Sequence, residues 1–168
     1  NAAERSLEFF IGWFADPIWK GDYPQIMKEL VGNRLPKFTE DEKKLILGSS
    51  DFFGLNHYSS MLASEPNEGI QPKENIAGNG GMFEDQLVHL SDDPNWKKTH
   101  MEWNVVPEGC KELLKWIDKR YNKPTIYITE NGCAQDEPTL EAAQNDEKRV
   151  QFFKGYINAC YEAIQDNV

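Results

Sequence analysis

The chain has 168 residues, 39% hydrophobic and 12% aromatic, enough for one globular domain with a buried core. Its 18 Lys plus Arg against 28 Asp plus Glu give a net charge of -10, the wrong sign for a nucleic-acid backbone or an anionic membrane surface. No apolar run approaches the ~18 to 20 residues of a membrane span, the opening Asn-Ala-Ala-Glu-Arg lacks the layout of a signal peptide, and Cys110, Cys133 and Cys160 are too scattered for a disulfide scaffold or a metal site.

The elements follow in chain order. Leu7, Phe10, Ile11 and Phe14 share one helical face, and Asp16-Pro17 is expected to stop that helix, leaving residues 15–24 as an ordered loop. A short helix from Pro24 to Val31 should end at Gly32. Thr39 with Glu42 forms a capping-box pattern that opens another short helix ahead of Gly48. Residues 51–58, Asp-Phe-Phe-Gly-Leu-Asn-His-Tyr, lack a helical period and read as a buried strand with a polar C-terminal end. From Ser59 to about Glu102 there is little periodicity, and a long irregular loop is expected, of the kind that often serves binding. Pro107 suits the first turn of a helix carrying Cys110, Leu113, Leu114, Ile117 and Tyr121 on its apolar face. Thr125–Thr129 is a second strand, ending at Glu130-Asn131-Gly132, and a last helix from near Asp146 to Gln165 should bury Val150, Phe153, Ile157, Tyr161 and Ile164.

Strand, connection with helix, strand, helix is the order of a parallel α/β fold. Two strands cannot complete such a sheet, so the expected architecture is a single partial domain over residues 1–168. Catalytic side chains collect at the C-terminal ends of parallel strands, where one carboxylate, one phenol and two amides are available here. Alternation along the first strand puts Asn56 and Tyr58 on one side and His57 on the other. Asn56 and Tyr58 are therefore the candidates and His57 is set aside.

Tyr127-Ile128-Thr129-Glu130-Asn131-Gly132 resembles the nucleophile signature of family 1 glycoside hydrolases, the β-glucosidase group. Phe14-Ala15-Asp16-Pro17-Ile18, Gly21-Asp22-Tyr23-Pro24, Leu35-Pro36 with Phe38-Thr39, and Asp51 to Tyr58 are similar to further segments of that family, in order. Trp103, ahead of Pro107-Glu108-Gly109, and the 23 positions from Pro107 to Glu130 fit as well. The similarity covers nearly everything except residues 64–98.

The resemblance implies part of a (β/α)8 TIM barrel, its sixth and seventh βα units, and a retaining hydrolysis of β-glycosides that needs no cofactor and no metal. It makes Glu130 the nucleophile and Tyr58 the hydrogen-bond donor that aims its carboxylate. Asn56 joins the same polar cluster, and Trp103 walls the leaving-group site. At 168 residues the chain is short of the ~250 typical of a closed barrel. It also contains no Asn-Glu-Pro, the family's acid/base motif; Ser64-Glu65-Pro66 is a near match that is not assigned. The expected partners are a β-glycoside and the remainder of the barrel, with the chain inactive alone. A non-catalytic sugar-binding or receptor-like relative, or an inactive fragment, is the alternative. Localisation stays open, although the absence of an Asn-x-Ser/Thr sequon leans towards an intracellular protein.

Overall fold

A computed structural model describes residues 1–66 and 81–168. Its elements in chain order are α1 (Ala2–Leu7), a π-helical segment (Glu8–Gly12), α2 (Trp13–Lys20), α3 (Gln25–Val31), a 3₁₀ turn (Gly32–Arg34), α4 (Glu40–Ile46), β1 (Phe53–Asn56), β2 (Leu62–Ser64), α5 (Met82–Asp85), β3 (His89–Ser91), α6 (Pro107–Arg120), β4 (Ile126–Glu130), α7 (Leu140–Gln144) and α8 (Glu147–Gln165). Among the described residues no helix is long and apolar enough to cross a membrane. The chain packs as two compact units.

The first unit takes residues 1–51, 62–66 and 81–91. Its opening helix does not stop at Asp16-Pro17, as expected, but runs to Lys20, where Gly21 adopts a left-handed conformation (φ 82°). A π-helical segment precedes α2, Pro17 lies inside α2, and the Pro17 carbonyl accepts from the Gly21 amide at 3.0 Å. The π segment also breaks the helical phase. The expected apolar face is not the buried one: Phe9, outside it, is fully buried with Met27 and Leu35, whereas Phe10 is exposed and Phe14 is 67% exposed. The capping box of α4 forms as read, Thr39 and Glu42 each accepting from the other's backbone amide.

The stretch expected to be irregular, 59–102, contains regular pieces in this unit. β2 and β3 pair antiparallel, Leu62 opposite Ser91, Ala63 opposite Leu90 and Ser64 opposite His89. Three-residue strands give no readable alternation, which is why the sequence hid them. Glu65, the near match to the acid/base motif, is the ion-pair partner of Arg5 at 2.6 Å.

The second unit, residues 52–61 and 92–168, holds β1 and β4 as parallel neighbours. The first strand is shorter than expected at both ends, Phe53–Asn56, and the second is shifted by one residue, to Ile126–Glu130. Phe53 and Leu55 turn their side chains into the core, and Phe53 stacks on Tyr121 at 5.5 Å between centroids. α6 starts with Pro107 in its first turn and buries Cys110, Leu114 and Ile117 as the periodicity indicated. Burial pushes the Cys110 thiol up to about 12.

α8 corrects the sequence reading. Asp146 caps it by accepting from the Arg149 amide, but the buried residues are Phe152, Tyr156, Ala159 and Ala163. Val150, Phe153, Ile157, Tyr161 and Ile164 are all exposed, Ile157 by 68%. Periodicity favoured the bulkier stripe. The observed packing of α8 is close, with Gly155 so near Pro107 that a β-carbon would lie 2.9 Å from its Cγ, and small residues suit that approach better than large ones.

His57 lies on the core side of β1, 6% exposed, with Tyr156 at 5.9 Å between ring centroids, Nε2 3.4 Å from the Ser60 hydroxyl and Nδ1 without a partner. Burial lowers its pKa below the usual value near 6.5, so the native state keeps it neutral. The unfolded chain protonates His57 first as pH falls, and its contribution is therefore present above about 6.5 and lost as pH drops through the lowered native value. Chemical denaturation between about pH 7 and about pH 5 is expected to show a shallower loss of stability in His57→Gln than in the parent, and equal slopes would refute this. A second test concerns Gly109, where a β-carbon would meet Ser60 Oγ at 2.1 Å and Cβ at 2.8 Å. Glycine to alanine ordinarily gains a helix up to about 1 kcal/mol, yet Gly109→Ala should cost about 1–3 kcal/mol through overpacking, with Ser60→Gly recovering part of the loss.

Candidate active site

The parallel ladder runs in register from Phe53 opposite Ile126 to Leu55 opposite Ile128, then slips so that Asn56 faces Glu130. A slip of one residue re-aims the side chains that follow it. Beyond β1 the chain continues through His57, buried on the core side, to the half-buried Tyr58, and the alternation read from the sequence holds. Tyr58 Oη donates to Glu130 Oε2 at 2.5 Å. That bond is the first cause, ahead of burial and the carboxylate's charge, that holds the phenol's pKa above the ordinary tyrosine value.

The other candidates gather around this pair. Trp103 meets the Tyr58 ring edge to face, with centroids 5.6 Å apart and an interplanar angle of 68°, and is 43% exposed. It is carried on a tight turn in which the Thr99 amide donates to the Trp103 carbonyl at 2.9 Å and Thr99 Oγ1 accepts from the Trp103 amide at 3.3 Å. The next amide, His100, donates to the Ala134 carbonyl at 3.0 Å, tying that turn to the segment after β4. Asn56 reaches Thr129 rather than Glu130: Thr129 Oγ1 donates to Asn56 Oδ1 at 2.6 Å. All four residues chosen from the sequence thus lie at one end of the β1–β4 pair, and three of them form a contiguous chain from Glu130 through Tyr58 to Trp103.

Two participants were not singled out. Thr129 is the residue skipped by the slip, and its role depends on a register that no single strand reveals. Asn131, read only as one of two available amides, points back and donates from Nδ2 to the His57 carbonyl at 2.8 Å. Among the described residues no group of three His, Cys, Asp or Glu side chains is placed to hold a metal ion. A carboxylate held through one oxygen, beside an exposed aromatic plane, is suited to attack an electrophilic carbon.

Comparison with known proteins places the chain in a family. The chain matches glycosyl hydrolase family 1 over residues 1–168. It is 38% identical over 168 residues to "Beta-glucosidase 17" of Arabidopsis thaliana, covering 98% of this chain and 32% of that protein. Among solved structures, the rice Os3BGlu6 β-glucosidase superposes with a TM-score of 0.86 at 33% identity, over 98% of this chain and 35% of that one. A mutant of the same rice enzyme in a covalent complex with Glc gives a TM-score of 0.83 at 32% identity, covering 98% and 35%. The chain therefore spans about a third of the length of the relatives it matches. A match along the whole chain, together with structural likeness to the barrel β-glucosidases, establishes that this chain belongs to glycosyl hydrolase family 1 and is part of a (β/α)8 barrel.

Proposed function

We propose that this chain carries the nucleophile side of a retaining β-glycosidase site. The observation that supports the reading best is the 2.5 Å hydrogen bond from Tyr58 to Glu130 at the C-terminal ends of two parallel strands. Glu130 attacks the anomeric carbon of a β-glucoside or related β-glycoside while the aglycone oxygen leaves with a proton. Water then hydrolyses the glycosyl ester. The covalent Glc complex of the mutant rice enzyme is of the kind that this reading requires at Glu130. Tyr58 aims the attacking carboxylate by occupying Oε2, Asn56 keeps the skipped Thr129 hydroxyl engaged, and Trp103 offers a flat apolar wall to the leaving group.

The proton donor must be a second carboxyl group about 5–5.5 Å from the first. No Asn-Glu-Pro occurs in these residues, and Glu65 belongs to an ion pair with Arg5. The acid/base therefore comes from the remainder of the barrel, whose strands would also cover Tyr127 and Ile128, exposed by 57% and 36% on β4. By itself the 168-residue chain is catalytically incompetent.

Mass spectrometry of the assembled barrel after treatment with a 2-deoxy-2-fluoro β-glycoside is expected to place the sugar on Glu130. A site that binds sugar and yields no adduct would favour the non-catalytic alternative instead. Glu130→Gln should lower kcat about a thousandfold or more, roughly 4 kcal/mol of transition-state stabilisation, with ground-state binding retained. Tyr58→Phe removes one hydrogen bond to a charged group and should cost about 10- to 100-fold in kcat. Turnover of an aryl β-glucoside by the 168-residue chain alone would overturn the claim of incompetence.

A further inference from the structure

We infer that Asn131 is a positioning residue for the Tyr58–Glu130 pair, locking the slipped end of the β1–β4 ladder so that the phenol stays on the carboxylate. The inference rests on the function proposed above and assigns its site one more part.

The argument begins with backbone groups. The last rung between the strands is the His57 amide donating to the Glu130 carbonyl at 3.0 Å. The next acceptor on that side, the His57 carbonyl, lies past the end of the ladder. Asn131 Nδ2 takes the place of the missing backbone donor, at 2.8 Å. Both polar backbone groups of His57 are thus held by the two residues at the tip of β4. Tyr58 follows His57 directly, so the rung, the Asn131 bond and the Tyr58–Glu130 bond all join the same two short segments. On the far side of Tyr58 the chain is held by Asn104, whose carbonyl accepts from the Ser59 hydroxyl and whose Nδ2 donates to the Ser60 carbonyl, each at 3.0 Å, and the Tyr156 hydroxyl donates to the Tyr58 carbonyl at 3.4 Å. The Asn131 bond is the side-chain link to this segment's backbone from the β4 end.

Chemistry restricts the residue type. Serine is too short to reach from this backbone position, and an ionised aspartate would set a carboxylate oxygen against the His57 carbonyl. Asn131 is half-buried, so the bond is partly shielded from competing water. The slip itself explains why a side chain is needed. Skipping Thr129 brings Glu130 opposite Asn56 and on to the side of Tyr58, but it also ends regular pairing at that point.

The test reads the phenol rather than turnover. In the 168-residue chain, tyrosine labelled with carbon-13 at Cζ is titrated by NMR, with Tyr58→Phe identifying the Tyr58 signal. In Glu130→Gln the Tyr58 midpoint should fall towards the ordinary tyrosine value of about 10, which calibrates the loss of the carboxylate contact. Asn131→Ala and Asn131→Leu, which add no charge beside the phenol, should each lower the midpoint by a comparable amount while circular dichroism stays native. Asn131→Leu nearly conserves volume, so it keeps the test open if the alanine variant fails to fold. A midpoint that moves in Glu130→Gln and stays put in a folded Asn131 variant would leave the pair intact and overturn the role of Asn131. A midpoint unmoved even in Glu130→Gln would show that the contact is absent and overturn the inference with it. Whether Glu130 is the nucleophile is decided separately, by covalent trapping.

Discussion

Parallel strands are held by evenly spaced, slanted hydrogen bonds, and a single skipped residue changes which side chains meet at their ends. In this chain the skip falls at Thr129, one residue before Glu130. Without it Asn56 would face Thr129, and strict alternation would carry the Glu130 side chain away from the side that holds Tyr58. The slip brings the Tyr58 phenol to 2.5 Å from a carboxylate that regular pairing would have turned from it. Thr129 is not idle in this arrangement, since its hydroxyl engages Asn56. Most of the candidate site follows from this one irregularity, and Trp103 packs against the Tyr58 ring.

The elements legible in the sequence were those whose ends carry their own chemistry. α4 is announced by the reciprocal Thr39–Glu42 cap, α3 by Gly32 after its last residue, and α6 by Pro107 in its first turn. Errors of phase arose where bulk and burial part company. α8 carries two apolar stripes, and the one with Phe152, Tyr156, Ala159 and Ala163 faces the core of this unit. α2 continues through Pro17, and nothing local in the sequence marks the π turn that precedes it. At the site, Asn56, Tyr58 and Glu130 could be found from strand ends and alternation alone. Thr129 and Asn131 could not, because their partners are fixed by pairing between segments about 70 residues apart.

The second unit covers its sheet unevenly. Parallel sheets are normally shielded on both faces, yet here α6 and α8 shield one, while Gly54, Asn56, Tyr127 and Thr129 remain open. The candidate site occupies the same open side. For part of a (β/α)8 barrel this is the expected division, since helices cover the outside and strand side chains fill the interior in layers contributed by alternate strands. The polar layer at the strand ends is therefore the layer that other strands of a barrel would complete. Supplying the proton donor from elsewhere is consistent with that arrangement.

Trp103 is anchored independently of the Tyr58–Glu130 bond. Its turn is closed by its own hydrogen bonds with Thr99 and fastened by the His100 amide to Ala134, four residues beyond Glu130. Trp103 is thus mounted on the exit of β4 and packs against the Tyr58 ring, while Asn104 beside it accepts from the Ser59 hydroxyl and donates to the Ser60 carbonyl. Substitution of Trp103 itself would replace that aromatic plane and leave the Tyr58–Glu130 bond and the Asn131 bond to His57 in place. In the site as proposed, the aromatic surface beside the carboxylate and the bonds that hold the carboxylate are therefore carried by different segments, so each can change without rebuilding the other.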